Sequence, residues 1–398
     1  MTKISRALLA AACAAGLAQA APAAQAPQHR GTLHYRITIL SSLGGSNSRA
    51  NSINDLGVVA GYSKPAGNLV RHASVWAWGH QRDLGSLGGA SFNSSVAWPV
   101  KNTVGFISGI SETGQINPLG ETWSCGFFFA TSGNVCYGFV TSLWGGAMEP
   151  LLPLPGGYNS YATGTNDWGQ TVGWAENGVH DSTCAPDSDQ VLQFKPVVWA
   201  PFTHQIRTLP LIAGDTSGAA TAINDRRQIV GLSGTCDQAV GRGTGAHAVL
   251  WEDNRVTDLG NLGALLWNTP TSINENGDIV GFSGTDPADI DGNFTHAFLK
   301  KHNRPMQDLG VLNGDISSTA TGINLFGQIV GYSNDETTTR AFIWQNGTMT
   351  DLKSLAPDFH GALVLANDIN DFGQIAGRGT DPDTGAIVAF VATPYYTN

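Results

Sequence analysis

Residues 323–333 read INLFGQIVGYS. Fifty residues earlier, 273–283 read INENGDIVGFS, and fifty before that, 223–233 read INDRRQIVGLS. Aligned on its asparagine, the motif recurs at Asn54, Asn102, Asn166, Asn224, Asn274, Asn324 and Asn370, seven copies spaced 46 to 64 residues apart. The copy at Asn102, KNTVGFISGIS, is degenerate but keeps Gly105 and Gly109. A period near fifty marks a supersecondary unit that buries its core by stacking on its neighbours. A catalytic loop has no reason to be copied in this way, so INLFGQIVGYS reads as structure.

Each copy divides into four strand-length pieces. The first ends in A-x-x-I-N (Ala320 to Asn324), and a short turn leads to Q-I-V-G-Y-S (Gln328 to Ser333). A connection of variable length leads to H-A-F-L or R-A-F-I-W, at His296 and Arg340. A tight turn such as Asn346-Gly347 then leads to M-T-D-L (Met349 to Leu352). Short apolar runs punctuated by Gly and Asn predict antiparallel hairpins. In the N-D-x-G turn the glycine takes the left-handed conformation and joins two strands with the right twist. Arg227 stands at that glycine's position in the copy at Asn224. A side chain there costs about 1–3 kcal/mol if the turn is kept.

The ends of the chain decide between an open array and a ring. YRITILSSLGG (35–45) matches only the last strand of a copy, and AIVAFVATP (386–394) only the third. Pairing these halves removes exposed strand edges. The expectation is an all-β chain: one seven-bladed β-propeller of four-stranded blades, closed by pairing an N-terminal strand with the C-terminal three, over residues 35–398.

Charged residues are 13% of the chain, about half the ordinary share, and Gly supplies 50 of 398 positions, which fits a turn-rich β protein. A net charge of −10 with scattered basic residues excludes nucleic-acid binding by phosphate neutralisation. Residues 1–20 carry Lys3 and Arg6, a run of small apolar residues and Ala18-Gln19-Ala20, the pattern of a secretory signal peptide. Residues 21–34 read as a flexible lead-in. The protein is expected to be exported, to the periplasm or outside the cell, as a monomer without membrane insertion. Cys125, Cys136, Cys184 and Cys236 remain after the signal, and an even number in an exported chain favours disulfides. Three connectivities are possible. The most economical joins 125 to 136 across one loop and 184 to 236 across equivalent loops of adjacent copies.

The stretches HAFLK (296–300), RAFIWQNGTMTDL (340–352), TDLGNLG (257–263) and INENGDIVGFS resemble the extracellular HAF repeat family, named for its His-Ala-Phe stretch. The resemblance covers essentially everything after the signal and implies an exported bacterial β-propeller-like protein. It brings no general activity and no catalytic residues. Lys195 and Arg340 stand where the family has His, and Lys300 where Trp is usual. The His is therefore not a ligand shared by every copy.

The insertions, roughly 112–136, 176–194, 234–245 and 284–294, all follow G-Y-S and carry all four of these cysteines. Loops on a rigid scaffold are where function concentrates. Within them, WAENGVHDSTC (174–184) offers Glu176, His180 and Asp181 as candidate acid–base residues. DPADIDGN (286–293) offers Asp289, Asp291 and Asn293 as calcium candidates, without the distal Glu an EF-hand requires. No other cofactor is expected. G-x-S-x-G, H-E-x-x-H, phosphate-loop and dinucleotide motifs are absent from the sequence. That absence tilts the expectation toward a non-catalytic binding module for a protein or polysaccharide. The alternative is a secreted glycan-active enzyme, hydrolase or lyase, with acid–base residues at the channel mouth. The discriminator is whether ionisable side chains from different copies converge on one pocket.

Overall fold

The computed structural model describes residues 31–98, 101–123, 125–128, 133–236 and 245–398. The expected signal peptide lies outside the described residues, as does most of the lead-in. The described chain is β-propeller-like and all-β, and its only helical segments are the short 3₁₀ turns Cys125–Phe128 and Leu352–Leu355. No described helix is long and apolar enough to cross a membrane.

The strands form five separate four-stranded sheets and one of eight. The sheet built on the copy at Asn324 is typical. Its strands Ser317–Ile323, Ile329–Asn334, Thr339–Gln345 and Thr348–Asp351 pair antiparallel in chain order. The eight-stranded sheet is two such sets. One is Gly44–Ile53, Val59–Pro65, His72–Ala77 and His80–Asp83. The other is Leu363–Ile369, Ile375–Thr380 and Ile387–Thr397, completed by Thr32–Ile39 from the other end of the chain. The register of that last pair runs from Thr32↔Thr397 to Ile39↔Phe390. A single parallel bridge, Asn47↔Ile387, joins the two sets. Thr32 is three residues inside the stretch read from sequence as flexible.

The copied asparagine explains the copying. In the copy at Asn224, Oδ1 accepts from the Gln228 N–H at 2.9 Å and closes its own turn. Its Nδ2 donates to the Asn274 carbonyl of the next copy at 3.0 Å. The same amide-to-carbonyl bond runs from Asn54 to Asn102, Asn102 to Thr165, Asn166 to Asn224, Asn274 to Asn324 and Asn324 to Asn370. The last returns from Asn370 to the Asn54 carbonyl. All seven asparagines are buried, where an unmade bond is expensive.

The glycine of Q-I-V-G is fixed by crowding. A bulge in the first strand brings a carbonyl over it, so a Cβ at Gly331 would strike the Thr319 carbonyl and the Phe342 ring. Phe139, Phe298, Phe342 and Phe390 are fully buried third-strand residues, each contributing about 1.5–3 kcal/mol of apolar burial. Trp76, Trp199 and Trp251 donate their indole N–H to the carbonyls of Ser41, Leu152 and Pro210, so they serve packing between sheets. Arg227 keeps the turn it was expected to strain: φ is +64° and its N–H still bonds the Asn224 carbonyl.

Candidate active site

The first strands of neighbouring copies contact one another, and residues from all seven copies line a central cavity of about 200 Å³ at the short-turn end. Asp55, Asp167, Asp225, Glu275 and Asp371 stand around it. Each is committed to a backbone N–H of the preceding copy. Asp167 accepts from Thr103, Asp225 from Asp167, Glu275 from Asp225, Asp371 from Leu325, and Asp55 from Asp371, at 2.6–2.9 Å. Burial raises the pKa of Asp225, Glu275 and Asp371, and neighbouring carboxylates add to it. Lys101 pairs with the fully buried Asp368. This end is stitching, and its ionisable groups already have partners.

The opposite, insertion-bearing end differs. Five residues before the repeat asparagine stand Arg49, Tyr161, Thr269, Thr319 and Leu365. Their cross-strand partners are Tyr62, Trp174, Phe282, Tyr332 and Arg378. Strand register thus sets these side chains at one level. Electrostatic reach says the same: Arg49 feels Tyr62, Tyr332, Arg378 and Arg71, and Tyr161 feels Arg71 and Arg49. Burial pushes the Arg49 and Arg71 guanidiniums below their usual range, and Arg378 pushes the same way. Arg49 Nη2 donates to Asn367 Oδ1 at 2.8 Å, while its buried Nε has no partner among the described residues. The Arg71 guanidinium lies 4.8 Å over the Tyr62 ring and bonds the Phe128 carbonyl. Behind them lies a buried aromatic cluster, with Tyr161 and Trp174 stacked at 4.1 Å and Trp123 and Phe194 at 4.2 Å. Ionisable side chains of the first, third, sixth and seventh copies therefore converge here.

The sequence candidates fare differently. Both expected disulfides are present, Cys125–Cys136 and Cys184–Cys236. They fit an oxidising, exported compartment. Glu176, His180 and Asp181 do not form an acid–base set. Glu176 is fully buried at the end of its strand's inward run, and its carboxylate accepts from Tyr158 N, Asn159 N and Asn159 Nδ2. Glu112 holds Asn93 in the same way one copy earlier, so this is another copied structural device. Burial, then Glu121, pushes Glu176 up to about 7. Asp181 is buried and bound by Thr183, Thr216 and Ser217, which hold its pKa down against burial. His180 alone is exposed. Asp289 caps its own turn, accepting from Gly292 N and Phe294 N, and among the described residues no three His, Cys, Asp or Glu side chains gather as metal ligands. The HAF-type His pairs within its own sheet instead: His72 with Asp83, His247 with Asp258, His296 with Asp308.

The arginines were missed because each sits inside a strand whose pattern reads as structural. The available signal was a charge, at Arg49 and Arg378, where other copies have apolar, aromatic or small residues.

No family model matches the chain, and no curated protein matches it. Among solved structures, an oligogalacturonate lyase from Vibrio parahaemolyticus is similar over 92% of this chain and 98% of its own, at TM-score 0.48 and 8% identity. An oligogalacturonate lyase in complex with manganese is similar over 93% and 98%, at TM-score 0.44 and 10% identity. Likeness at this level transfers no residue roles. The expectation of a non-catalytic binding module is corrected all the same. The feature named as the discriminator is met in part: ionisable side chains of different copies, Arg49 and Arg378 among them, stand at one level of the insertion end.

Proposed function

We propose that this protein is an exported enzyme acting on glycans, a member of the HAF repeat group. In this reading it is one closed seven-bladed β-propeller, active in the periplasm or outside the cell. The single observation that carries the functional reading is that strand register sets Arg49, Tyr62, Tyr332 and Arg378 at one level of the insertion end. The half-buried Tyr332 ring beside the half-buried Arg378 and Arg49 offers a sugar a flat face and donors for its oxygens. The return of the asparagine bonds from Asn370 to Asn54 supports closure, as does the pairing of Thr32–Ile39 with Ile387–Thr397.

A manganese ion, present in one similar structure, does not fit the residues of this end. They are cations, phenols, indoles and amides, and the nearest committed carboxylates belong to backbone N–H groups.

The test incubates the mature, disulfide-intact protein with acidic and neutral polysaccharides, with manganese, calcium or EDTA. New reducing ends report either chemistry, and a new sugar double bond reports a lyase alone. The expected result is cleavage of at least one substrate, lowered roughly tenfold or more in Arg378→Gln, since hydrogen bonds to charged groups contribute about 1.5–3 kcal/mol. No cleavage anywhere in the panel sinks the enzyme reading. Cleavage abolished by EDTA sinks its metal-free form.

A further inference from the structure

Beyond that reading, and at the other end of the ring, we infer that the short-turn face carries a binding platform for a neutral polysaccharide, built on Trp78, Trp144, Trp168 and Phe202.

Exposed aromatic residues crowd one half of this face. Trp78, Trp144, Trp168, Phe202 and Phe372 are each 60–84% exposed. Trp78, Trp144 and Phe202 sit in turns between the third and fourth strands of the first three copies. Trp168 and Phe372 sit in turns between first and second strands. These turns are linked to one another. The Trp78 and Trp144 rings stack at 5.7 Å, and Phe202 meets Phe106 at 6.3 Å. Trp144 bonds the Val104 carbonyl, and Thr103 donates to Asp167, which joins that turn to the turn of Trp168. Asp371 donates to Asp55, which joins the turn of Phe372 to that of the exposed Leu56. The patch thus runs through the seventh, first, second and third copies in ring order. The fourth and fifth copies carry Arg226 and Asn276 at the position of Trp168 and Phe372. The turn itself therefore does not require an apolar residue.

Backbone conformation says the same. Two-residue turns join the last two strands at 78–79, 253–254 and 346–347. Trp78 holds the place of Asp253 and Asn346, at φ +51° against +50° and +52°. Phe202 is also left-handed, at φ +62°. Asn and Asp tolerate this region, and bulky side chains rarely adopt it. Strain of this kind persists where something else repays it, and these two rings bury little. Folding of the turns does not account for them, whereas a contact from outside does.

The rings also specify the partner. Trp144 Nε1 donates to the Val104 carbonyl at 3.1 Å, and Trp168 Nε1 to that of Asp225 at 2.8 Å. Their polar edges are used, so ring surface is what remains exposed. The rings stand on separate turn tips, unlike the enclosed pocket of a protein hot spot. Each tip is a closed turn and offers an extended peptide no strand edge. A polysaccharide needs neither, because it lays the C–H faces of successive sugars on successive rings. Asp55, Asp167 and Asp371 stand beside the platform, and Lys101, which lines the same cavity, is paired with Asp368. That field repels an acidic chain, so the glycan is a neutral one.

The test is affinity electrophoresis of the full mature, disulfide-intact protein in native gels containing glucomannan, xyloglucan or amylopectin, with alginate as the acidic control. The expected result is retardation by at least one neutral polymer, and binding about tenfold weaker in the double variant Trp78→Asn, Phe202→Asn. Asparagine suits a left-handed turn, so the double variant should melt no lower than the parent. Weaker binding without a lower melting temperature separates contact from folding. Equal retardation of parent and double variant overturns the inference, as does no retardation by any neutral polymer. Stronger retardation by alginate overturns the neutral assignment. A dimer seen in sedimentation of the parent and lost in the double variant assigns the patch to a second copy of this chain, and overturns the inference too. Retardation without cleavage leaves the platform standing and removes the enzyme reading. Cleavage without retardation does the reverse.

Discussion

At the short-turn end, five carboxylates from five copies each hold a backbone N–H of their neighbour. At the insertion end, the guanidiniums of Arg49 and Arg378, from two copies, share one level, and neither has a carboxylate partner among the described residues. The two ends are built on the same strands, a few residues apart. Where a residue type repeats in register, the structure uses it to tie copies together. Where the register is broken by an isolated charge, as at Arg378, no tie among the described residues accounts for it. Repetition inside one chain thus separates scaffold from site without any other sequence for comparison.

The comparison breaks most severely if the repeated asparagines prove dispensable. Asn224→Ala removes a bond within its turn and a bond to the next copy, both buried. Each unmade buried bond costs about 1–3 kcal/mol. The expected loss is therefore roughly 2–4 kcal/mol, read by chemical denaturation. A variant as stable as the parent removes the structural reading of the short-turn end.

A smaller effect sharpens the insertion end. Glu176 has a pKa pushed up to about 7, first by burial and then by Glu121. The folded protein thus holds a proton that the unfolded chain releases near 4.5. Its contribution is complete below about 4.5 and is lost as pH rises toward 7. Melting temperature should fall across that window, and Glu121→Gln should flatten the fall by removing the neighbouring charge. A flat profile in the parent refutes the buried carboxylate pair.

The smallest effect concerns Arg227, whose φ of +64° belongs to glycine. Arg227→Gly should stabilise by about 1 kcal/mol. Its side chain also lies 5.9 Å from the Trp168 ring, so a loss of stability would mean that this contact outweighs the strain.

Much of the fold was legible because its causes are local and copied. The asparagine, the turn glycine and the crowded glycine of Q-I-V-G each answer to one geometric demand, and the spacing exposes the demand. The disulfides followed from loop equivalence. The site was not legible because it is assembled from single departures in distant copies. Nothing in the sequence near Arg49 mentions Arg378, yet they share a level through register. Glu176 misled for a related reason. Its counterpart Glu112 sits in the degenerate copy at Asn102, where the parallel is hard to see without the Asn93 and Asn159 bonds.

The pairing of Thr32–Ile39 with Ile387–Thr397 has a consequence for how the chain is made. The strand synthesised first finds its partner last, after every other sheet has had the opportunity to form. Until then two strand edges remain open, and open edges recruit other chains. A truncation just before Ile387 would leave Thr32–Ile39 without its partner and open one edge of Ile375–Thr380 at once. Such a chain would keep most of its sheets and still be lost to aggregation, so premature termination near the end should be as damaging as termination in the middle.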